Sequence, residues 1–477
     1  MAAAYFNNDT IIAIATAPQA VAAVGIIRIS GSEALRALLL LVTPIKKQNL
    51  SAENIKSHRL YRVLLKNNEG EKIDDAMFVF MRGPNSFTGE DVVEVHLHGN
   101  PYILQRCVSA FIQLGFVRAA RAGEFSFRAF QNGKLDLSQA EAVMDLISSK
   151  SALGAAFALN SLLGNTKSFI DEAKKELLHY LAEVEVDIDF ADQGVSVINY
   201  ENWSKNLEKW VQKIEQARER FLKTAPLREG IRVSIVGLPN SGKSTLFNLL
   251  LGESRSIVSN IAGTTRDVVR EQITLGGLLL LLSDTAGLRN TSDAIEAEGI
   301  ARSYGEVGGA QLILLVIDAK ELLLGGATFL RKQTQDIHSR NERARTLIIL
   351  NKQDLLSEKE RIECLNSAHE LKLSGLGMSA KTGDGLKLLE DKILQEFSPE
   401  NSEEEGFQIG RTRHYELLGR ATKHVRGAIE NVKKGELLPD LLSGDLRAAL
   451  SDLGEITGEV SADDVLNYIF AEFCIGK

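Results

Sequence analysis

Hydrophobic and polar positions follow one pattern at the start of the chain. Short apolar runs bounded by Pro, Gly and Asn predict β-strands there, and SGSEALRALLLLV (30–42) predicts a capped helix between two of them. The strand-like runs are IIAIATA (11–17), VGIIRIS (24–30), AMFVFMRG (76–83) and DVVEVHLHG (91–99). We expect a compact α+β domain over residues 1–122.

The pattern then changes twice. Residues 123–224 are helix-periodic and nearly free of proline, whereas residues 225–397 alternate apolar strands with helices. That alternation predicts a mostly parallel sheet with helices on both faces. After the acidic stretch SPENSEEEG, residues 398–477 return to helix. We therefore expect a multidomain α/β and α protein, in which the α/β domain is inserted into a helical domain that is split in sequence.

Composition restricts the class of protein. The 477 residues are 44% hydrophobic and 25% charged, which is typical of soluble globular proteins. A net charge of −8 argues against a protein that coats nucleic acid through a basic surface. Three dispersed cysteines indicate no disulfide framework, and no apolar run approaches the ~20 residues that span a bilayer. The prediction is a cytoplasmic protein without a membrane segment.

The segment GLPNSGKST (237–245) matches a phosphate-binding loop between a predicted strand and a predicted helix. Gly237 and Gly242 allow the backbone to wrap closely around phosphates. Lys243 is expected to reach the β- and γ-phosphates, and the Ser244 hydroxyl is expected to hold Mg²⁺. The N–H groups at the start of the helix add positive potential.

Three later motifs identify the nucleotide as GTP. In DTAG (284–287), Asp284 is placed to touch the Mg²⁺ shell and Gly287 to meet the γ-phosphate. In NKQD (351–354), Asn351 and Asp354 can read the base, because the Asp354 carboxylate can accept two N–H bonds that guanine offers and adenine does not. SAK (379–381) can present a backbone N–H to the guanine carbonyl.

The residue after DTAG poses a catalytic problem. GTPases of the Ras type use a Gln there to orient the attacking water, but this chain has Leu288, which forms no hydrogen bonds through its side chain. Either the site does not hydrolyse GTP, or the catalytic group comes from elsewhere. Thr265, in AGTTRD (262–267), is expected to close over Mg²⁺ when the γ-phosphate is present.

Together with these motifs, the final residues FCIGK make the chain resemble the MnmE (TrmE) family of tRNA-modification GTPases. The resemblance extends over essentially the whole chain. Matching stretches outside the GTPase segment are SFTGEDVVE (86–94), AGEFSFRAFQNGKLDLSQAEA (122–142) and LGEITGEVSADDVLNYIF (453–470).

The resemblance implies a substitute for the missing Gln. Family members hydrolyse GTP with potassium and a downstream Glu, which corresponds to Glu296. Arg266 and Arg289 resemble the family's switch arginines, so that the catalytic set is Glu296, Lys243, Arg266 and Arg289. The implied potassium ligands are Asn240, Ser259, Ile261 and Thr264, and those of Mg²⁺ are Ser244 and Thr265. The GTP-binding set is Asn240, Ser241, Gly242, Lys243, Ser244, Thr245, Ser259, Thr264, Thr265, Asp284, Thr285, Ala286, Gly287, Asn351, Lys352, Asp354, Ser379, Ala380 and Lys381.

The resemblance also implies a site for a one-carbon tetrahydrofolate, in its 5-formyl or 5,10-methylene form. Its ligands carry over to Arg28, Glu94, Lys134 and the terminal Lys477, while Cys474 is a possible further participant. Where relatives carry PPGRGGVG, this chain has APQAVAAVG (17–25), and Ala at a position that needs positive φ would be strained.

The implied assembly is a homodimer that works with an FAD- and NADH-using partner of the MnmG (GidA) type. Together they would add an aminomethyl or carboxymethylaminomethyl group to carbon five of the wobble uridine of certain tRNAs. The alternatives are a ribosome-assembly GTPase of the Era or EngA type, and a switch that binds GTP without useful hydrolysis. The best basic candidate for tRNA contact is the stretch 411–426, with Arg411 and Arg413 at its start.

Overall fold

The structure is a computed structural model that describes eleven parts of the chain. They are residues 9–45, 50–190, 198–253, 270–283, 307–370, 375–397, 409–435, 438–460, 463–471, 473 and 476. Within these ranges the chain forms two compact units, the first made of residues 1–147, 158–218 and 409–477, and the second of residues 148–157 and 219–408. The domain boundaries expected at 122, 224 and 397 stay predictions.

The first unit begins with a seven-stranded sheet of order β3-β4-β5-β6-β2-β1-β7. All neighbouring strands in it are antiparallel except β1 and β7. The strands are β1 Thr10–Ile14, β2 Ala22–Ser30, β3 Val42–Pro44, β4 Leu60–Lys66, β5 Lys72–Met81, β6 Val92–Gly99 and β7 Val117–Ala119. Helices α1 (Ala34–Leu41) and α2 (Pro101–Ile112) contribute to the core on one face of this sheet.

Side chains along β2 and β6 point alternately into that core and to the other face of the sheet. Ile27 and Ile29 of β2 lie in the core, as do Val93 and Val95 of β6. Because side chains alternate along a strand, Arg28 and its cross-strand partner Glu94 point to the opposite face.

The helical part of the first unit is built from two distant segments of sequence. The helices are α3 Glu124–Gln131, α4 Leu137–Ser148, α5 Ala152–Leu162, α6 Asn165–Asp189, α7 Tyr200–Glu229, α12 Thr412–Lys433, α13 Pro439–Thr457 and α14 Asp463–Ala471. A cluster that includes Phe127, Leu137 and Phe470 joins the two segments. The last residues of α7 and the first of α5 belong to the second unit.

The second unit contains a six-stranded sheet of order β13-β12-β11-β8-β10-β9. Its strands are β8 Ile231–Val236, β9 Arg270–Leu275, β10 Leu278–Ser283, β11 Leu312–Asp318, β12 Arg345–Asn351 and β13 Gly375–Gly377. All of them are parallel to their neighbours except β9. The helices are α8 Lys243–Glu253, α9 Ala319–Arg340, α10 Glu358–Glu370 and α11 Leu386–Phe397.

Separate apolar cores cover the two faces of this sheet. One includes residues of α8 and α11, and the other includes residues of α9 and α10. The predicted fold class, a mostly parallel sheet with helices on both faces beside a helical domain split in sequence, is confirmed. No helix among the described ranges is long and apolar enough to cross a membrane.

Candidate functional site

The phosphate-binding loop lies between β8 and α8, where the carboxyl end of a central strand meets the start of a helix. Gly237 (φ 152°), Asn240 (φ 61°) and Gly242 (φ 100°) all take positive φ values. A Cβ at Gly237 would lie 2.1 Å from the carbonyl oxygen of Val316. Glycine is therefore required there by both conformation and space, and Asn240 is of the residue type that tolerates the left-handed region best after glycine.

Lys243 begins α8 and turns back over the loop. Its Nζ donates to the carbonyl oxygen of Leu238 at 2.8 Å. Ser244 follows in the first helical turn and is half-buried, while Thr245 is exposed. A phosphate oxygen is a stronger acceptor for an ammonium than a peptide carbonyl is. The geometry thus places a cation and the N-terminal N–H groups of α8 around one anion position.

Asn351, at the end of β12, joins two of the predicted loops. Its Nδ2 donates to the carbonyl oxygen of Ser241 at 2.8 Å, and its Oδ1 accepts from the Ala380 N–H at 2.9 Å. The side chain is 2% exposed. A Cβ at Gly242 would lie 2.0 Å from Asn351 Nδ2, so the glycine makes room for this contact. Asn351 therefore fixes the phosphate-binding loop to the SAK loop, a role that sequence reasoning missed.

The rest of the guanine motif surrounds this connection. Lys352 has a left-handed φ of 66°, and Asp354 lies exposed in the 3₁₀ turn Gln353–Leu355. Ser379 Oγ accepts from the Thr382 N–H at 3.3 Å, which shapes the SAK loop, and Lys381 is exposed. The phosphate-binding loop, the NKQD motif and the SAK loop therefore converge at the carboxyl ends of β8 and β12.

Asp318 also belongs to this cluster, although no motif marked it. It ends β11 next to β12, and its Oδ2 lies 2.7 Å from Lys352 Nζ. The available signal was its position, the first polar residue after the strand run LILLVI.

Several predicted residues lie outside the described part of the chain, so the structure says nothing of them. They are Ser259, Ile261, Thr264, Thr265, Arg266, Asp284, Thr285, Ala286, Gly287, Leu288, Arg289, Glu296, Cys474 and Lys477.

Two predicted folate residues, Arg28 and Glu94, meet on the face of the seven-stranded sheet that also carries the buried cluster of Ile11, Ala13 and Phe125. Arg28 Nε donates to Glu94 Oε1 at 2.9 Å, and Arg28 Nη2 lies 2.8 Å from the same oxygen. The Arg28 guanidinium also faces the rings of Phe87 (5.2 Å) and Phe125 (5.8 Å). Two residues assigned to a ligand are thus paired with each other.

Lys134 joins this face through the loop 84–90. Its Nζ donates to the carbonyl oxygen of Pro84 at 2.8 Å, and Asn132 Nδ2 donates to that of Thr88 at 2.7 Å. The same loop carries Phe87 to Arg28. Three of the four predicted folate residues therefore lie around one loop.

The loop 17–25 does not show the backbone strain that its sequence predicts. Residues 17–24 are exposed, and none of them has a positive φ. The strain expected for alanine in this loop is therefore absent, because its backbone adopts ordinary extended or turn conformations.

The arginines expected to contact tRNA are engaged within the helical part. Arg411 binds Asp145 through Nε (3.0 Å) and Nη2 (2.7 Å), and Arg413 binds Glu141 through Nε (3.0 Å) and Nη2 (2.8 Å). His414 Nε2 lies 2.9 Å from Glu141 Oε2, and both side chains are 2% exposed. Burial by itself raises the pKa of Glu141, but His414 and Arg413 outweigh it and lower that pKa to about 2. These arginines tie the start of α12 to α4, and their side chains are 24% and 21% exposed. Their contact with tRNA stays a prediction.

Comparison with known proteins gives consistent matches over the whole chain. The family descriptions that match are "GTP-binding protein TrmE N-terminus" over residues 10–134 and "MnmE helical domain" over residues 137–474. The tRNA modification GTPase MnmE of Christiangramia forsetii is 36% identical over 479 residues, which cover 98% of this chain and 99% of the relative. That of Aquifex aeolicus is 38% identical over 474 residues, which cover 98% of this chain and 100% of the relative.

A solved structure gives only a partial match. A crystal structure of an Aquifex aeolicus Era variant bound to GDP and AlF4⁻ is 27% identical and covers 41% of this chain and 66% of that chain. Its TM-score is 0.27, too low to support any conclusion.

Proposed function

The chain belongs to the MnmE family of tRNA-modification GTPases, and from that membership we propose that it hydrolyses GTP to support modification of the wobble uridine of tRNA. The observation that carries the proposal is the contact of Asn351 with Ser241, which joins the guanine motif to the phosphate-binding loop. Bound GTP would have its phosphates at Lys243, its Mg²⁺ at Ser244 and its base at Asp354.

Potassium and Glu296 together compensate for the catalytic glutamine, whose position is occupied by Leu288. Asn240 is exposed and left-handed in the phosphate-binding loop, so its side-chain oxygen is available to a cation beside the phosphates. A cation there would neutralise the charge that develops between the β- and γ-phosphates during hydrolysis. Ser259, Ile261 and Thr264 would complete the cation site, and Glu296 would orient the attacking water.

A one-carbon tetrahydrofolate binds on the face of the first sheet that carries Arg28 and Glu94. Arg28 and Lys134 offer cations to the carboxylate tail, and Glu94 offers a carboxylate to the amino–imino edge of the pterin. The Arg28–Glu94 contact supports this assignment because it brings both groups to one place. A bound folate would therefore have to break the Arg28–Glu94 ion pair.

The assembly is a cytoplasmic homodimer with an FAD- and NADH-using partner of the MnmG type. The flavin belongs to that partner, and this chain supplies the one-carbon donor and the GTPase cycle. tRNA is the shared substrate of the two proteins.

Reconstitution tests the proposal as a whole. Unmodified tRNA is incubated with the chain, an MnmG-type flavoprotein, NADH, GTP, a methylene-tetrahydrofolate and either ammonium or glycine as the amine donor. The nucleosides are then analysed by mass spectrometry. We expect a uridine modified at carbon five that disappears with Lys243→Ala or with a non-hydrolysable GTP analogue. Efficient GTP turnover without any modified uridine would instead favour a regulatory GTPase of the Era or EngA type.

A further inference from the structure

Asp318 lies beside the guanine motif although it is 33 residues away from Asn351 in sequence. Strands β11 and β12 are parallel neighbours, and their register pairs Asp318 with Asn351. Asp318, the last residue of β11, therefore lies beside Asn351, which ends β12 and begins the NKQD motif. This position results from the sheet, which is why the linear motif does not include it.

The Asp318 carboxylate has two partners. Oδ2 lies 2.7 Å from Lys352 Nζ, and Oδ1 accepts from the Lys320 N–H at 2.9 Å as the N-cap of α9. The Asp318 side chain is 14% exposed and that of Lys352 is 32% exposed. An ion pair so sheltered from water is less screened than one at an open surface.

The backbone conformation of Lys352 is unusual for a residue other than glycine. Its φ of 66° lies in the left-handed region, which only three of the described non-glycine residues occupy. Such a conformation persists when the surroundings enforce it. Lys352 also stands between Asn351 and Asp354, the two residues assigned to the base, so its backbone conformation sets their relative direction.

We propose that Asp318 is a positioning residue of the guanine site. By holding Lys352 Nζ, it keeps the Lys352 backbone left-handed and so directs Asn351 and Asp354 towards the base. The inference rests on the proposed binding of guanine nucleotides. It differs from a purely structural role, in which Asp318 serves only as the cap of α9.

Asp318→Asn separates the two roles in the full-length chain. Asparagine caps helices about as well as aspartate does, but it carries no charge for Lys352. We expect GDP, measured with a fluorescent GDP analogue and competing unlabelled GDP, to bind about tenfold more weakly. At saturating GTP, kcat should stay within about twofold while KM rises, because the chemistry of phosphate transfer is untouched. The melting temperature should fall by no more than a few degrees, because Lys352 is 32% exposed and water can solvate the ammonium that loses its partner.

Two further readouts test the path through Lys352. Lys352→Met removes the ammonium and keeps the length of the chain, and the double variant should bind GDP no more weakly than the weaker single variant. The preference for GDP over IDP, which lacks the 2-amino group that Asp354 reads, should also fall in Asp318→Asn. Asp336→Asn is the matched control, because Asp336 pairs with Arg340 in an exposed position of α9, beyond the kink at Gly326.

The outcomes separate the inference from the proposed function. If Asp318→Asn binds GDP like the wild type, or if its effect adds fully to that of Lys352→Met, the inference is wrong while the GTPase assignment stands. A wild-type chain that binds no guanine nucleotide would overturn both.

Discussion

Cations that the sequence assigned to ligands occur at the nucleotide site and at the sheet face around Arg28, Glu94 and Lys134, which we propose as the folate site and call the folate face. These cations have different partners. Lys243 is held by a peptide carbonyl of its own loop, whereas Arg28 is held by the carboxylate of Glu94. A phosphate replaces a carbonyl with a gain in electrostatic attraction. A folate carboxylate replaces another carboxylate with little gain, so the folate face has less free energy available for binding.

Arg413 in α12 is the extreme case of a cation whose partner a ligand would have to replace. Arg413 is held by a carboxylate that is almost fully buried, and separating a buried ion pair leaves a charge without compensation. A cation found in the sequence is thus available to a ligand only to the extent that its partner in the fold can be replaced.

Gly242→Ala should have the largest effect on ligand binding, because it removes the space that the nucleotide site needs. The new Cβ would lie 2.0 Å from Asn351 Nδ2, at a φ of 100°. We expect GTP affinity to fall by about 100-fold or more, equivalent to ~2.7 kcal/mol. Equilibrium binding of a fluorescent GTP analogue measures it.

Gly252→Ala is the control for that variant. Gly252 lies in α8, and a Cβ there meets no atom within 4 Å. Alanine should leave GTP binding unchanged and stabilise the helix slightly. Equal loss of affinity in both variants would contradict the steric argument.

Glu141→Gln should destabilise the helical part more than any surface change. It leaves Arg413 and His414 beside a neutral group, at a cost of about 3 kcal/mol or more. Chemical denaturation monitored by circular dichroism measures the free energy of unfolding. Glu201→Gln, which breaks only the exposed pair with Lys205, should change it by less than about 0.5 kcal/mol.

The Glu141 carboxylate should also make the stability of the folded chain depend on pH. The pKa of Glu141 is lowered from 4.5 to about 2 in the folded chain, so the native state binds its proton less readily than the unfolded state. Its contribution to stability is complete above pH 4.5 and is lost as the pH falls towards 2. Relative to Glu141→Gln, the wild type should therefore lose stability over this interval. Parallel acid-unfolding curves for the two proteins would contradict the assignment.

Glu94→Gln tests the folate face and should have an intermediate effect. The variant loses the charge that is assigned to the pterin and also frees Arg28. We expect binding of 5-formyltetrahydrofolate, measured by calorimetry, to weaken about tenfold. Asp75→Asn, which breaks an exposed pair with Arg62 on the same sheet, is the control. GTP turnover should be unchanged in both variants.

Arg411→Gln should have the smallest effect on ligand binding. Because its guanidinium is already bound to Asp145, tRNA affinity of the folded protein should change by less than about twofold. A gel-shift titration at a temperature where the variant is fully folded measures it. A large loss of affinity would restore the role in tRNA contact that the sequence suggested.

Sequence reasoning succeeded where local pattern determines the outcome. The glycines of the phosphate-binding loop and the NKQD and SAK motifs follow strands whose parallel order brings them together. It did not reveal the partners of Arg411 and Arg413, because the carboxylates that bind them lie about 270 residues earlier in the chain. It missed Asp318 for the same reason, since only the pairing of β11 with β12 brings it to Lys352.

The most direct test of the account is steady-state GTP hydrolysis in potassium compared with sodium. The account predicts faster turnover in potassium, and loss of that acceleration in Asn240→Ala and in Glu296→Ala. This result would show how the site hydrolyses GTP with Leu288 in place of glutamine. Equally slow turnover in both salts, unaffected by either substitution, would contradict the account and leave a protein that binds GTP as a switch.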